Sequence, residues 1–103
     1  GIEQHESVEL TDEVLAVADV LYVTRIQRER HDETLKATIA LDPYCITPGV
    51  LAKTKPGLRV LHPLPRGTEI STEIDHDPRA AYKRQMENGP YVRMALLSLL
   101  IKK

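Results

Sequence analysis

Apolar residues along this chain fall into short runs separated by charged or proline-rich stretches, and the period changes from run to run. Residues 2–6 are short and mixed, enough for an edge strand. Thr11 stands before Asp12 and Glu13 and the apolar positions Val14, Leu15, Val17 and Ala18. A hydroxyl at the N-cap, followed by acids where the helix dipole favours them, predicts a short helix. Val20-Leu21-Tyr22-Val23-Thr24 is apolar or β-branched without alternation, the pattern of a strand covered on both faces. Charge dominates residues 25–36, apolar character returns at 37–41, and Pro43 and Pro48 bracket a short strand candidate at 44–47. Lys55-Pro56-Gly57 marks a turn. Arg59-Val60-Leu61-His62 is a second buried-strand candidate, and it runs into Pro63-Leu64-Pro65-Arg66-Gly67, where the proline spacing suits neither helix nor sheet. Pro78 fits the first turn of a helix reaching about Glu87, with Asn88-Gly89 as a left-handed stop. Residues 91–101 are apolar nearly all round, which predicts a separate buried helix.

Strands alternating with helices predict an α/β fold: a small parallel sheet with helices on both faces, residues 20–24 and 59–62 as inner strands, and ligands beyond the carboxyl ends of the strands. Composition narrows the classes. A chain of 103 residues fits one small domain, and 14 Lys plus Arg against 15 Asp plus Glu leave a formal charge of −1, so no global field attracts nucleic acid or an anionic membrane. Cys45 alone cannot form an intrachain disulfide, and the longest apolar stretch, 94–101, is too short for a transmembrane segment. The expected setting is intracellular, cytoplasmic first, with mitochondrion or plastid left open. His5, His31, His62 and His76 lie too far apart in sequence to suggest a metal site. Glu73, Asp75 and Asp77 read as a solvated acidic turn, and Arg79, Lys83 and Arg84 as a wet helix face.

The two segments able to carry chemistry both follow predicted strands. Arg25-Ile26-Gln27-Arg28-Glu29-Arg30 sets three guanidinium groups and an amide directly after the first. Arginine offers a rigid donor fork that matches a carboxylate, so Arg25 with Gln27 could hold a dicarboxylate such as aspartate while Glu29 clamps one arginine. The same residues also fit a solvated helix start with an i,i+4 pair between Arg25 and Glu29. In His62-Pro63-Leu64-Pro65-Arg66 the prolines leave backbone carbonyls without a ladder partner, and an X-Pro bond there is a candidate for cis. Those carbonyls could accept from an NH₂ group of a ligand. The other reading of these residues is a proline-stiffened loop around a satisfied or exposed His62.

Four segments in fixed order carry a resemblance: Asp19 through Arg30, His62-Pro63-Leu64-Pro65-Arg66 with Glu69-Ile70, Asp77-Pro78-Arg79-Ala80-Ala81-Tyr82 with Arg84-Gln85, and Glu87-Asn88-Gly89 with Val92-Arg93-Met94-Ala95-Leu96-Leu97. Over nearly its whole length the chain resembles the aspartate carbamoyltransferases, the eukaryotic forms most of all. Ornithine carbamoyltransferases have Cys where this chain has Pro63, which favours aspartate. The resemblance implies a partial Rossmann-like three-layer αβα domain with a small parallel sheet, residues 1–103 forming part of the aspartate-binding domain without the N-terminal carbamoyl-phosphate domain. It implies the reaction of carbamoyl phosphate with L-aspartate in pyrimidine synthesis, without metal or organic cofactor. Arg25 would bind an aspartate carboxylate, Gln27 would assist, Glu29 would hold Arg25, and the carbonyls of Pro63 and Leu64 would receive the carbamoyl NH₂; His62, Pro65 and Arg66 would support the loop. No residue of this chain would be catalytic alone, because the family's phosphate-binding loop and catalytic His belong to the N-terminal domain. The implied partners are that domain or a companion chain, within an oligomer (a trimer in the family) or a larger complex.

Departures from the family pattern at His31, Lys36, Ala37, Thr68 and Lys83 support a second reading, a non-catalytic structural subunit derived from a carbamoyltransferase. On either reading the apolar segment 91–101 lacks part of its cover when the chain is alone.

Overall fold

The computed structural model of the chain describes residues 2–7, 9–25 and 44–101. Helix α1, Asp12–Val17, begins as its cap predicts: the Thr11 hydroxyl accepts from the Val14 N–H at 3.3 Å. After two intervening residues the chain enters strand β1, Val20–Tyr22. A second short helix, α2, spans Pro48–Leu51 with Thr47 as its N-cap. A turn closed by Leu58 N–H on the Lys55 carbonyl at 3.2 Å then delivers strand β2, Arg59–Leu61. A 3₁₀ turn, Thr72–Ile74, and a long helix α3, Tyr82–Ile101, complete the described elements.

The strands are parallel, as predicted, and their register sets Leu21 opposite Val60. Register partners in a parallel pair share a face, so Leu21 and Val60 point together into the core with Leu15, Ile46, Leu51, Leu58, Ile70, Ile74 and Tyr82. The opposite face is not covered as the continuous apolar run suggested: Val20 is 51% and Tyr22 57% exposed. Predicted strand 44–47 reduces to a single parallel bridge from Ile46 to Ile70, and residues 2–6 form no strand, with Ile2 fully exposed.

Two boundaries near the C-terminus differ from the expectation. The helix starts at Tyr82 rather than Pro78 because β2 captures the preceding backbone: Val60 N–H donates to the Arg79 carbonyl at 2.7 Å, and Ala81 N–H to the Val60 carbonyl at 3.0 Å. Those bonds require extended geometry around Ala80, which an α-helix cannot supply. Asn88-Gly89 is not a stop. Among the described residues no glycine has positive φ, and the helix continues through Pro90, whose ring fixes a φ compatible with the helix although it gives up one i→i−4 bond. The result is a single rod of 20 residues, on the order of 30 Å long. Only its first turn, at Tyr82, enters the core. The predicted burial of 91–101 does not occur within this chain: Leu96 is 53% and Leu100 80% exposed, so an all-round apolar surface stands uncovered.

Candidate functional site

Parallel pairing brings the carboxyl ends of β1 and β2 side by side, the last rung being Val23 N–H to the Leu61 carbonyl at 2.9 Å. Everything the sequence marks for chemistry leaves from these two ends. Arg25 lies three residues beyond β1 and is exposed; Gln27 and Glu29 lie outside the described residues. From β2 the chain passes through His62 into the proline loop.

That loop is built around one buried carboxylate. Glu69 is 5% exposed and His62 1%. The His62 ring meets the Glu69 Oε1 at 2.6 Å through Nε2, while its Nδ1 accepts the Leu64 N–H at 2.8 Å. An acceptor role at Nδ1 puts the ring proton on Nε2, where it donates to the carboxylate. Gly67 N–H donates to the same carboxylate, 2.9 and 3.0 Å from its two oxygens. A Cβ at Gly67 would stand 2.9 Å from Glu69 Oε2, so a larger residue there would oblige the carboxylate to shift. Burial pushes the Glu69 carboxyl up, but the Gly67 and Glu69 backbone N–H groups and the His62 ring outweigh it, and the group is held below the usual carboxylate value.

Leu64 pays for this closure with a left-handed backbone, φ 53°, a conformation that costs a side-chain-bearing residue about 1–2 kcal/mol. The Leu64–Pro65 peptide is cis. The Leu64 side chain packs on the core and Pro63 stays exposed. Among the described residues neither the Pro63 nor the Leu64 carbonyl accepts a hydrogen bond from the protein. Their lone pairs are available to a ligand donor.

Arg66 faces inward. Its fork engages Asp75, with Nη2 to Oδ2 at 2.7 Å and Nη1 to Oδ1, and Nη1 also donates to the Tyr82 hydroxyl at 3.3 Å. The Tyr82 hydroxyl in turn donates to Asp75, and the guanidinium carbon sits 5.7 Å from the Tyr82 ring centroid. Arg66 and then Tyr82 hold the Asp75 carboxyl well below its usual range, and the Asp75 hydrogen bonds raise the guanidinium above its own. Burial and Asp75 push Tyr82 up to about 12. Arg79 is likewise paired: its Nε and Nη2 reach the Asp77 oxygens at 2.9 Å each, and Nη1 reaches the Leu51 carbonyl at 2.6 Å. Asp75 and Asp77 are therefore ion-pair partners instead of a solvated patch, and Arg79 belongs to a turn stapled to α2 instead of a wet helix face. Lys83 and Arg84 do lie exposed on α3.

Gln85, on the first turns of α3, closes the other side. Its Oε1 accepts the His62 N–H at 3.0 Å and its Nε2 donates to the Tyr22 hydroxyl at 3.2 Å. Beside it opens a cleft of about 860 Å³, lined among others by Tyr22, His62, Pro63, Arg84, Asn88 and Arg93. Among the described residues no three His, Cys, Asp or Glu side chains are grouped as a metal site. No helix of the described chain is long and apolar enough to cross a membrane.

The structure thus brings His62, Pro63, Leu64, Pro65 and Arg66 into one loop beside the strand end that carries Arg25. Sequence reasoning missed Glu69, Gln85, Asp75 and Tyr82 as parts of the site's frame. The only signal was an acid seven residues after His62, too far along a proline loop to imply contact.

Comparison with known proteins gives a consistent answer. The family model for the aspartate/ornithine carbamoyltransferase Asp/Orn-binding domain matches residues 2–100. The multifunctional protein pyr1-3 of Dictyostelium discoideum is 51% identical over 100 residues, covering 97% of this chain and 4% of that protein. The aspartate carbamoyltransferase catalytic subunit of Bacteroides thetaiotaomicron is 43% identical over 96 residues, covering 93% of this chain and 31% of that subunit. A crystal structure of aspartate transcarbamoylase from Trypanosoma cruzi in complex with N-(phosphonacetyl)-L-aspartic acid superposes with a TM-score of 0.80 at 47% identity, over 90% of this chain and 29% of that one. The chain spans less than a third of each of these relatives.

Proposed function

The chain belongs to the aspartate and ornithine carbamoyltransferase family, and we propose that residues 1–103 are the aspartate-binding portion of an aspartate carbamoyltransferase. Joined to a carbamoyl-phosphate-binding domain, or to a companion chain that carries one, it takes part in making N-carbamoyl-L-aspartate and phosphate. One observation carries the reading: the ends of β1 and β2 are hydrogen-bonded neighbours, and they bear a guanidinium on one side and unoccupied carbonyls in a fixed loop on the other.

That pairing suits a substrate with carboxylates at one end and an amine beside a carbamoyl group at the other. Arg25, assisted by Gln27 and steadied by Glu29, holds an aspartyl carboxylate. The Pro63 and Leu64 carbonyls take the carbamoyl NH₂, and His62, Pro65 and Arg66 support them. The contribution to catalysis is positioning: the amine is held against the carbamoyl carbon while the partner domain handles the phosphate. Pro63, where ornithine enzymes carry Cys, favours aspartate. The uncovered apolar face of α3 is where the partner domain would pack, within an oligomer or larger complex.

Mixing the chain with a family carbamoyl-phosphate domain and assaying carbamoyl-aspartate tests the reading. Product that depends on both components supports it. Tight association without product supports instead a structural subunit, the reading favoured by exposed Thr68 and Lys83 where the family has other residues. No association and no product defeats both.

A further inference from the structure

We infer that Gln85 is a positioning residue that sets the distance between the two halves of the ligand site, an inference that rests on the aspartate-binding function proposed above. Its carboxamide bridges the carboxyl ends of both strands. Oε1 accepts from the backbone N–H of His62, the first residue after β2, and Nε2 donates to the hydroxyl of Tyr22, the last residue of β1. Both amide atoms are thereby used, and each bond reaches a different arm of the site. One arm leads within three residues to Arg25, the other within two to the Leu64 carbonyl.

The bridge acts where the backbone pairing of the two strands ends. The last rung between the strands is Val23 to Leu61, and beyond it β2 turns into the proline loop while β1 continues toward Arg25. Tyr22 is on the uncovered face of the sheet, and no other described residue hydrogen-bonds its hydroxyl. Gln85 itself is fixed by helix α3, with its N–H on the Ala81 carbonyl at 2.9 Å. Ala81 in turn is hydrogen-bonded to β2 through Val60. The amide therefore reports the position of the core to both arms. A ligand that engages only one arm does not sense the spacing; a ligand that must reach both does.

The test compares two probes in the chain assembled with a family carbamoyl-phosphate domain. Succinate offers two carboxylates and no N–H, so it reads the Arg25 arm alone. N-(phosphonacetyl)-L-aspartate carries the carboxylates and an amide N–H that can donate to the loop carbonyls, so it reads both arms. Gln85→Met keeps the length and removes both hydrogen bonds. It should weaken N-(phosphonacetyl)-L-aspartate on the order of tenfold or more, because small misplacements of paired groups are costly, and weaken succinate less than about threefold. Tyr22→Phe deletes one hydroxyl from a half-exposed ring and does not threaten folding. It should shift the same ratio in the same direction, and adding it to Gln85→Met should give no further loss, since both act through one bridge. Equal weakening of both probes by Gln85→Met, or additive losses in the double variant, would overturn the inference alone. A wild-type assembly that binds neither probe would overturn the proposed function and this inference with it.

Discussion

Removing the Glu69 side chain probes the hub of the loop. Glu69→Ala leaves the buried Nε2–H of His62 and the N–H of Gly67 without their acceptor and opens a void where a carboxyl stood. Hydrogen bonds to a charged group are worth about 1.5–3 kcal/mol each, and a buried donor left without a partner loses its solvation as well. Together they give an expected loss of about 3–5 kcal/mol, a large fraction of the roughly 5–15 kcal/mol that a chain of this size possesses. Glu69→Gln keeps one oxygen able to accept from either donor and forfeits the charge, for a loss of about 1–2 kcal/mol. Acid sensitivity follows with a definite sign. The folded carboxyl titrates below its ordinary value of 4.5, so its contribution is complete above that pH and disappears as the pH falls through the lowered value. Denaturant unfolding followed by circular dichroism between pH 3 and 7, a range set on the order of the carboxylate pKa, should show wild type losing stability on acidification more steeply than Glu69→Gln. If Glu69→Ala falls within about 1 kcal/mol of wild type, or if Gln costs as much as Ala, then the carboxylate is not the hub and the reasoning fails.

Three further outcomes follow from the same geometry. Tyr82 should ionise at about 12 in a spectrophotometric titration; because the folded value is raised, wild type should lose stability between roughly pH 10 and 12, and Tyr82→Phe should abolish that loss. Arg79→Lys, which cannot span Asp77 and the Leu51 carbonyl together, should cost about 1–2 kcal/mol in denaturant unfolding. Arg25→Ala, measured by calorimetry with the partner domain present, should weaken binding of an aspartate analogue by about 2–5 kcal/mol.

The parts of this fold readable in the sequence are those fixed by local chemistry. Thr11 caps α1 because a hydroxyl one residue before a helix has an N–H to accept wherever the helix packs. The apolar runs at residues 20–22 and 60–61 mark the two strands, which do pair in parallel although one face of β1 stays half-exposed, and the proline loop resists regular structure for want of N–H groups. What could not be read depends on contacts made at a distance. Pro78 suits a helix start, yet backbone pairing of residues 79–81 with Val60 delays it to Tyr82. Asp75 and Asp77 look solvated until the chain brings Arg66 and Arg79 against them. Segment 91–101 is apolar on every side, and hydropathy predicts a cover that this chain does not supply. Within the site, His62, Pro63, Leu64 and Arg66 were marked by their unusual spacing, whereas Glu69 and Gln85 carried no local signature that sets a buried hub apart from an ordinary polar residue.

The most direct test of the account is a crystal structure of the chain assembled with a family carbamoyl-phosphate domain and bound to N-(phosphonacetyl)-L-aspartate. An aspartyl carboxylate should lie on the Arg25 guanidinium and the ligand amide N–H on a carbonyl of Pro63 or Leu64, with Gln85 still bridging His62 and Tyr22. A ligand whose carboxylates are held elsewhere, with Arg25 turned away and the loop carbonyls unoccupied, would contradict it.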